Sequence, residues 1–196
     1  EVLVEPDAGL PCSSGGVCVI LRALESRRIT LVSATAELVE ADLSGREKLS
    51  ALLGAAVPEN WPPDLYERRA MEFALHSLQD SDGQEGWSFW YLVTRGAEQR
   101  EVIGICGFKG RPDESGSVEI GYSLLDQFRV KGYATEAVSR LVGWAFSHQN
   151  VNEVCAETLP YLRQSIRVME KNGFAFTGPG SEHGVVRYAV QRPDKR

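Results

Sequence analysis

Residues 119–146, EIGYSLLDQFRVKGYATEAVSRLVGWAF, set the architecture that the rest of the chain must fit. Apolar and polar residues alternate from residue 118 to Leu124, which predicts a strand. Farther along, apolar residues recur in pairs with a helical period, which predicts a helix with one buried face. That face consists of Ala137, Val138, Leu141, Val142, Ala145 and Phe146. The stretch therefore predicts a strand–loop–helix unit.

The loop at residues 129–134 has the chemistry of an anion site. A helix N-terminus leaves its first backbone N–H groups unpaired and carries partial positive charge. Gly132 lacks a Cβ and lets a ligand approach the backbone, while Arg129 and Lys131 add positive charge. These features suit a diphosphate. The alternative is an ordinary strand–turn–helix connection in which Gly132 serves only the turn.

This loop resembles motif A of the GNAT N-acetyltransferases, where Gln or Arg is followed by two residues, Gly, one residue, and Gly or Ala. Arg129, Gly132 and Ala134 match that pattern. The sequences IGY and GYATEA are similar, more narrowly, to the ribosomal-protein N-terminal acetyltransferase-like branch of the family. The position of the pattern between a predicted strand and a predicted helix makes the resemblance more specific than six residues alone.

The segment at residues 157–174 extends the resemblance. In the family, a strand is followed there by Asn-x-x-Ser or Ala and by a helix that ends in Lys-x-Gly-Phe. The matching residues are Ser165, Lys171, Gly173 and Phe174. Two positions depart from the family: Leu162 replaces the Asn, and Met169 stands where many members have a Tyr that protonates the leaving thiolate. A thiolate is a tolerable leaving group unaided, so activity need not be lost.

The strand pattern and the resemblance predict an α+β fold, a three-layer sandwich with a GNAT-like mixed sheet. Three runs joined by short turns predict an antiparallel meander. The motif helix leads to a further strand, and this β–α–β unit predicts one parallel pair in an otherwise antiparallel sheet. The strands are expected at residues 87–94, 101–109, 118–124, 151–159, 174–178 and 185–191.

Earlier in the chain, residues 28–40 are expected to hold at least one core strand. Capping-box patterns beginning at Ser44 and Asp64 predict the starts of two helices, the second running to about Leu78. The apolar set of the second helix would be Leu65, Ala70, Phe73, Ala74 and Leu78.

Length and composition fit one globular domain. The 196 residues suit a single domain at residues 25–196, preceded by an extension or tail at residues 1–24 that could include a strand. The net charge of −6 argues against a general nucleic-acid binder and mildly favours an amine-bearing substrate. No apolar run approaches the roughly 20 residues of a membrane span, and no signal peptide is expected.

The cysteines favour a reduced, cytoplasmic protein without a metal. Cys106 and Cys155 fall in predicted strands and are expected to be buried thiols. Cys12 and Cys18 could pair, although a reduced protein is the expectation. No His or Cys has metal-site spacing. The resemblance implies acetyl-CoA as cosubstrate and an amine acceptor as partners, with no nucleic acid and no membrane, and a homodimer is left open.

The resemblance also assigns site residues. A backbone N–H near Ser123 or Leu124 would polarise the thioester carbonyl. Glu119 is the leading candidate for the base and Glu157 the second, with ordered water as the alternative to both. Trp61, in a proline-flanked loop, is predicted to bind the substrate, the alternative being a core position. The cofactor would contact Tyr122, Ser123, Leu124, Arg129, Val130, Lys131, Gly132, Tyr133, Ala134, Thr135 and Ser165.

The function implied is that of an acetyl-CoA-dependent N-acetyltransferase. It would move an acetyl group to a peptide N-terminus or a small-molecule amine by direct attack in a ternary complex. Leu162 and Met169 leave open a non-catalytic acyl-CoA-binding or sensing domain. A nucleotide enzyme is not supported, because the chain has neither G-x-G-x-x-G after its first strand nor G-x-x-x-x-G-K-[ST].

Overall fold

The computed structural model describes residues 22–80, 86–96 and 98–193. In these ranges, eight strands form one sheet in the order β1-β2-β3-β4-β5-β6-β8-β7. The strands are β1 (Ala23–Glu25), β2 (Ile29–Ser33), β3 (Phe89–Thr94), β4 (Val102–Phe108), β5 (Ser117–Leu124), β6 (Glu153–Thr158), β7 (Ala175–Pro179) and β8 (Val186–Gln191). The helices are α1 (Ala36–Ser44), α2 (Arg46–Leu53), α3 (Arg68–Asp80), α4 (Tyr133–Ser147) and α5 (Arg163–Lys171).

The predicted meander and the β–α–β unit are both confirmed. Strands β3, β4 and β5 pair antiparallel in chain order. The chain then passes through α4 to β6, which runs parallel to β5. The other neighbouring strands of the described sheet are antiparallel. The predicted α+β class, with one parallel pair in a mixed sheet, is therefore confirmed.

Alternating side chains of the strands fill two cores, one on each face of the sheet. On one face, α4 and α5 pack over β5 and β6, with Val138, Leu141 and Met169 at the centre. On the other face, α1, α2 and α3 pack over β2 to β4, with Leu38 and Leu49 in the core. The sheet is thus the middle of three layers, and each side chain of β5 and β6 belongs to one face or the other.

The two predicted helices are present as α2 and α3, but neither begins with the predicted capping box. The Ser44 hydroxyl donates to the Glu40 carbonyl (2.7 Å) and ends α1, while α2 begins after Gly45. Helix α3 begins at Arg68 rather than next to Asp64. The buried face of α3 is therefore displaced from the predicted one, and Phe73 is 75% exposed.

Helix α1 was not predicted. Residues 28–40 contain the expected core strand, β2, but the chain then turns at Thr35, whose hydroxyl accepts the N–H of Leu38 (3.3 Å). This bond caps the helix. Leu38 and Val39 are consequently neighbours on the buried side of α1 rather than parts of an alternating strand.

Cys106 in β4 and Cys155 in β6 are buried free thiols, as predicted, and burial raises the pKa of both. Cys12 and Cys18 lie outside the described residues, as does most of the predicted extension, although β1 begins at Ala23. Among the helices described, none combines the length and the apolar character that a membrane crossing requires.

Candidate active site

The parallel strands β5 and β6 separate soon after they meet. In the described sheet they pair at three positions, the last of which joins Glu119 and Cys155. Strand β5 continues to Leu124 and β6 to Thr158 without further pairing between them. The two strand ends therefore enclose an opening, which we call the β5–β6 notch.

Even-numbered residues near the end of β5 direct their backbone amides into this notch. In an antiparallel pair, successive residues direct their N–H groups to opposite sides of the strand. The N–H of Leu125, the residue after β5, donates to the Ile103 carbonyl of β4 (3.0 Å), so odd-numbered residues of β5 bond to β4. Of the two amides nominated by sequence, that of Leu124 therefore faces the notch, whereas that of Ser123 faces β4.

The loop before α4 presents a set of free backbone donors. Gly132 is the N-cap of α4 with φ of 86°, and Val130 also has a left-handed φ of 60°. No side chain in the described structure caps this helix, so the first-turn N–H groups of Tyr133, Ala134 and Thr135 lack an intrahelical acceptor. The loop thus offers amide donors at the positive end of a helix, which is the arrangement that binds phosphate groups.

Arg28 holds this loop from the start of β2. Its Nη1 donates to the Lys131 carbonyl (2.9 Å), and its guanidinium carbon lies 4.6 Å from the centroid of the Tyr133 ring. Its Nε and backbone N–H donate to the two oxygens of Glu136 (2.8 and 2.7 Å), which also accept from the Ser26 hydroxyl (2.7 Å). Burial acts to raise the pKa of Glu136, but these hydrogen bonds outweigh it and lower the pKa.

Arg129, a predicted cofactor contact, has three protein partners. Its Nε donates to the Leu124 carbonyl (2.9 Å), and its other nitrogens pair with Asp126 (2.8 Å) and Asp64 (2.7 Å). Its charge is therefore balanced, and its side chain links the loop to the segment before α3. Lys131 is exposed and pairs with no carboxylate in the described ranges.

A cavity of about 590 Å³ opens beside the start of α4. Arg140 and Lys171 lie in its wall, and neither forms an ion pair with a residue that the structure describes. The full lining is Ser26, Arg28, Gly132, Thr135, Glu136, Ser139, Arg140, Lys171 and Asn172. Two cations without a counter-ion extend the anion-binding surface beyond the loop.

Two further predicted cofactor residues meet on the α4–α5 side of the notch. The Tyr122 hydroxyl donates to the Ser165 carbonyl (3.0 Å) and lies 3.1 Å from the Ser165 hydroxyl. Burial raises the pKa of Tyr122 to about 12, so its hydroxyl stays protonated at neutral pH. This contact fixes the start of α5 to β5. Ser123 is buried and points to the opposite face.

Glu119 and Glu157 share the α1–α3 face of the sheet at the edge of the notch. Glu119 pairs in register with Cys155, and Glu157 follows Cys155 by two residues, so both side chains point the same way. The Glu119 carboxylate lies 2.5 Å from the Lys109 ammonium. Glu157 accepts the Ser181 N–H on both oxygens (2.9 and 3.1 Å) and the Ser181 hydroxyl on one (2.6 Å). Both oxygens of Glu157 therefore bond to the β7–β8 connection, whereas the described partner of Glu119 is the exposed Lys109.

Trp61 packs against the core on the α1–α3 face of the sheet. Its Nε1 donates to Asp42 (2.9 Å), and its ring centroid lies 6.1 Å from that of Tyr91, whose hydroxyl donates to the other oxygen of Asp42 (3.0 Å). Burial raises the pKa of Asp42, and the two hydrogen bonds only partly offset the shift. These contacts favour the core alternative for Trp61, and its role in substrate binding stays a prediction.

Replacement of Trp61 with Ala should destabilise the protein by about 2 kcal/mol, below the roughly 3–5 kcal/mol of a fully buried tryptophan because the ring is partly exposed. Chemical denaturation measures the loss, and Tyr91→Phe, which removes the other hydrogen bond to Asp42, is the matched variant. Turnover and the Michaelis constant for acetyl-CoA in the folded Trp61→Ala protein should be unaltered. A raised Michaelis constant for the acceptor without loss of stability would instead place Trp61 in the acceptor site.

Sequence reasoning missed Arg28, because its contact with Lys131 spans 103 residues and leaves no local pattern. The one available signal was a pair of arginines directly before a core strand. Among the residues that the structure describes, no group of three or more His, Cys, Asp or Glu side chains is arranged to hold a metal ion.

Comparison with known proteins agrees with this geometry. Residues 30–175 match the family described as acetyltransferase (GNAT) domain. The uncharacterized N-acetyltransferase YjdG of Bacillus subtilis (strain 168) is 30% identical over 161 residues, which cover 82% of this chain and 94% of YjdG. The uncharacterized N-acetyltransferase p20 of Bacillus licheniformis is 38% identical over 81 residues, or 41% of this chain and 46% of p20. The chain belongs to the GNAT acetyltransferase family and is an N-acetyltransferase.

Solved structures share the fold. The apo form of the ribosomal L7/L12 alpha-N-protein acetyltransferase RimL gives a TM-score of 0.63 at 17% identity, covering 94% of this chain and 99% of RimL. The microcin C7 self-immunity acetyltransferase MccE, solved with acetyl-CoA and AMP, gives a TM-score of 0.57 at 14% identity, covering 85% and 93% of the two chains. The predicted membership of the GNAT family is therefore confirmed in sequence and in fold.

Proposed function

We propose that the protein transfers the acetyl group of acetyl-CoA to an amine by direct attack within a ternary complex. The observation that carries the proposal is the β5–β6 notch. An uncapped helix N-terminus lies at one side of it, and two carboxylates border the other face. Cofactor and acceptor would approach from opposite faces and meet beside the Leu124 amide. This arrangement favours one complex of both substrates over a covalent acetyl-enzyme.

In this proposal the notch provides a proton acceptor for the amine and a donor for the developing oxyanion. Glu119 accepts a proton from the amine, directly or through water, so that the nitrogen lone pair can attack the thioester carbon. The Leu124 N–H donates to the carbonyl oxygen as it becomes negative. The C–S bond then breaks, the CoA thiolate leaves, and the nitrogen of the new amide loses its second proton to solvent. Met169 provides no acid for the thiolate, so the thiolate takes its proton from solvent.

The cofactor is held by its phosphates in this proposal. The diphosphate accepts hydrogen bonds from the amides between Gly132 and Thr135, and Lys131 adds charge. The loop is pre-formed because Arg28 and Arg129 fix it to the body of the protein. A pre-formed site spends less free energy on ordering and holds the thioester at attack distance.

The acceptor we propose is a peptide N-terminus or a small-molecule amine. Glu119 and Glu157 place carboxylates on the acceptor-facing side of the notch, and a cationic amine would replace the exposed Lys109 as the partner of Glu119. RimL, whose fold this chain shares, acts on the N-terminus of a ribosomal protein according to its name, and this makes a peptide N-terminus the first acceptor to test. Use of acetyl-CoA favours a cytoplasmic location.

Release of the CoA thiol tests the proposal. Purified protein is incubated with acetyl-CoA and, in turn, a serine-initiated tetrapeptide, an amino-acid amide, spermidine and an aminoglycoside. We expect release that requires both substrates, a product that carries the acetyl group on nitrogen by mass spectrometry, and intersecting initial-rate lines. Parallel lines would indicate an acetyl-enzyme. Binding of acetyl-CoA with no release from any amine would favour an acyl-CoA-binding or sensing domain.

Charge reversal in the cavity beside α4 should weaken CoA more than dephospho-CoA. CoA carries a 3′-phosphate that dephospho-CoA lacks, and Arg140 and Lys171, which form no ion pair with a described residue, line the cavity next to the diphosphate loop. The double variant Arg140→Glu, Lys171→Glu should lose about tenfold or more in CoA affinity by calorimetry, and less for dephospho-CoA. The double variant Arg46→Glu, Lys48→Glu on α2 carries the same charge change and should bind normally. Equal losses for the two ligands would place the 3′-phosphate elsewhere.

A further inference from the structure

Gly121 lies in the middle of β5 with no packing reason to be glycine. A Cβ at its cross-strand partner Gly107 would collide with the backbone of Phe89, and one at Gly104 would collide with the carbonyl of Ser123. At Gly121, by contrast, a Cβ would meet a single described atom within 4 Å, the Tyr66 hydroxyl oxygen at 4.0 Å. Glycine inside a strand weakens it and often marks the close approach of a ligand.

The Tyr66 hydroxyl faces this space without a partner. The Tyr66 ring is partly buried and packs edge-on against Phe89, with the ring centroids 5.9 Å apart. Its hydroxyl makes no hydrogen bond to any residue in the described ranges, although every fully buried side-chain polar atom there has a partner. Burial raises the pKa of this hydroxyl, so it remains a neutral phenol that can both donate and accept.

The space between Gly121 and Tyr66 adjoins the proposed reaction centre. Gly121 comes two residues after Glu119 and two before Ser123, so the three lie on the same face of β5. It also lies beyond the last β5–β6 pair, where the notch has opened.

The segment that carries Tyr66 is anchored from two directions. Asp64 pairs with Arg129 of the cofactor loop (2.7 Å), and the side-chain amides of Asn60 and Gln127 exchange hydrogen bonds (2.9 and 3.3 Å). Trp61 donates to Asp42 on α1 (2.9 Å). The phenol is therefore held over β5 by the surrounding structure rather than by a bond of its own.

We propose that Tyr66 is an acceptor-binding residue whose hydroxyl accepts a hydrogen bond from the attacking amine in the space over Gly121. The inference rests on the proposed function and names the contact that places the amine beside Glu119. The bare backbone of Gly121 leaves room for the acceptor, and the phenol oxygen and the Glu119 carboxylate bind two of its N–H groups. An amine that carries two N–H groups in its neutral, attacking form, which means a primary amine, is the class of acceptor that this arrangement selects.

Tyr66→Phe isolates the hydroxyl, because the ring and its contact with Phe89 are kept. With an amine that the wild-type protein acetylates, the Michaelis constant for the amine should rise about tenfold, with turnover and the Michaelis constant for acetyl-CoA little changed. The melting temperature should not fall, since the hydroxyl has no described partner to lose. Tyr188→Phe makes the same change on the other face of the sheet and should leave the amine kinetics unaltered.

Gly121→Ala tests the space from the other side. The backbone there does not require glycine, and the added methyl would make an ordinary contact with Tyr66, so the protein should fold. The Michaelis constant for the amine should again rise. Gly143→Ala, on an exposed part of α4 with no atom within 4 Å of the new methyl, is the matched control with unchanged kinetics.

The outcomes separate this proposal from the proposed function. Wild-type acetylation with unchanged amine kinetics in both Tyr66→Phe and Gly121→Ala would overturn the Tyr66 proposal alone. Equal turnover of primary and secondary amines would also overturn the proposal that the site selects primary amines. If the wild-type protein acetylates no amine, the proposed function fails first and the Tyr66 proposal fails with it.

Discussion

Replacement of Glu119 with Gln should lower turnover by about 100-fold or more, with the affinity for acetyl-CoA little changed. The substitution keeps the shape of the side chain and removes the proton acceptor. Glu119 lies on the acceptor-facing side of the notch, whereas the loop assigned to the diphosphate lies beyond the end of β5, so cofactor binding should survive. Turnover measured at saturating substrates and acetyl-CoA affinity by calorimetry provide the two readouts.

Glu157→Gln is the matched comparison for this prediction. Glu157 shares the face of Glu119, but Ser181 already occupies both of its oxygens. We therefore expect a smaller effect on turnover, accompanied by some loss of stability as the β7–β8 connection loosens. A large loss in Glu157→Gln with Glu119→Gln near wild type would transfer the role of base to Glu157. Wild-type turnover in both variants would indicate that ordered water, rather than either carboxylate, accepts the proton of the amine.

The β-rich half of the fold could be predicted because its signals are local. The strands β3 and β4 are short, buried apolar runs between turns, β5 alternates, and α4 shows its buried face within four turns. The helices before β3 were harder to predict. A hydroxyl group near a helix end can cap the next helix or bond back to the helix that it ends. Ser44 illustrates this: its spacing to Glu47 suggests an N-cap, yet its hydroxyl bonds back to Glu40. Local spacing alone therefore does not decide where α2 begins, and the packing of Leu49 on the sheet is not visible in a local pattern.

The candidate site could be predicted only where it is contiguous in sequence. The loop from Arg129 to Thr135 carries its own chemistry, namely small residues, positive charge and a helix start. The contacts of Arg28 and Tyr66 come from distant segments, so their positions depend on the complete sheet. The meaning of Gly121 also needed the structure, because a glycine in a strand is informative only once its neighbours show whether packing demands it.

Replacement of Gly132 with Glu should abolish most acetyl-CoA binding, by at least about 100-fold, while the fold survives. Gly132 has φ of 86°, and a Cβ there would come within 3.2 Å of the Arg28 Nη2 atom. Any side chain at this position therefore disturbs the group that holds the loop. A carboxylate adds negative charge where the diphosphate should sit and cancels part of the positive helix end. A 100-fold loss corresponds to about 2.8 kcal/mol, which is reasonable for repulsion in addition to lost amide contacts.

Gly54→Glu separates this effect from simple backbone strain. Gly54 also adopts a left-handed conformation, with φ of 57°, and a Cβ there meets no atom within 4 Å. Both variants should lose about 1–2 kcal/mol of stability, because a side chain is unfavourable in this conformation. Calorimetric titration with acetyl-CoA should then show wild-type affinity for Gly54→Glu and little binding for Gly132→Glu. If Gly132→Glu binds acetyl-CoA as the wild type does, the diphosphate lies elsewhere, and the loop before α4 is only the turn that connects β5 to its helix.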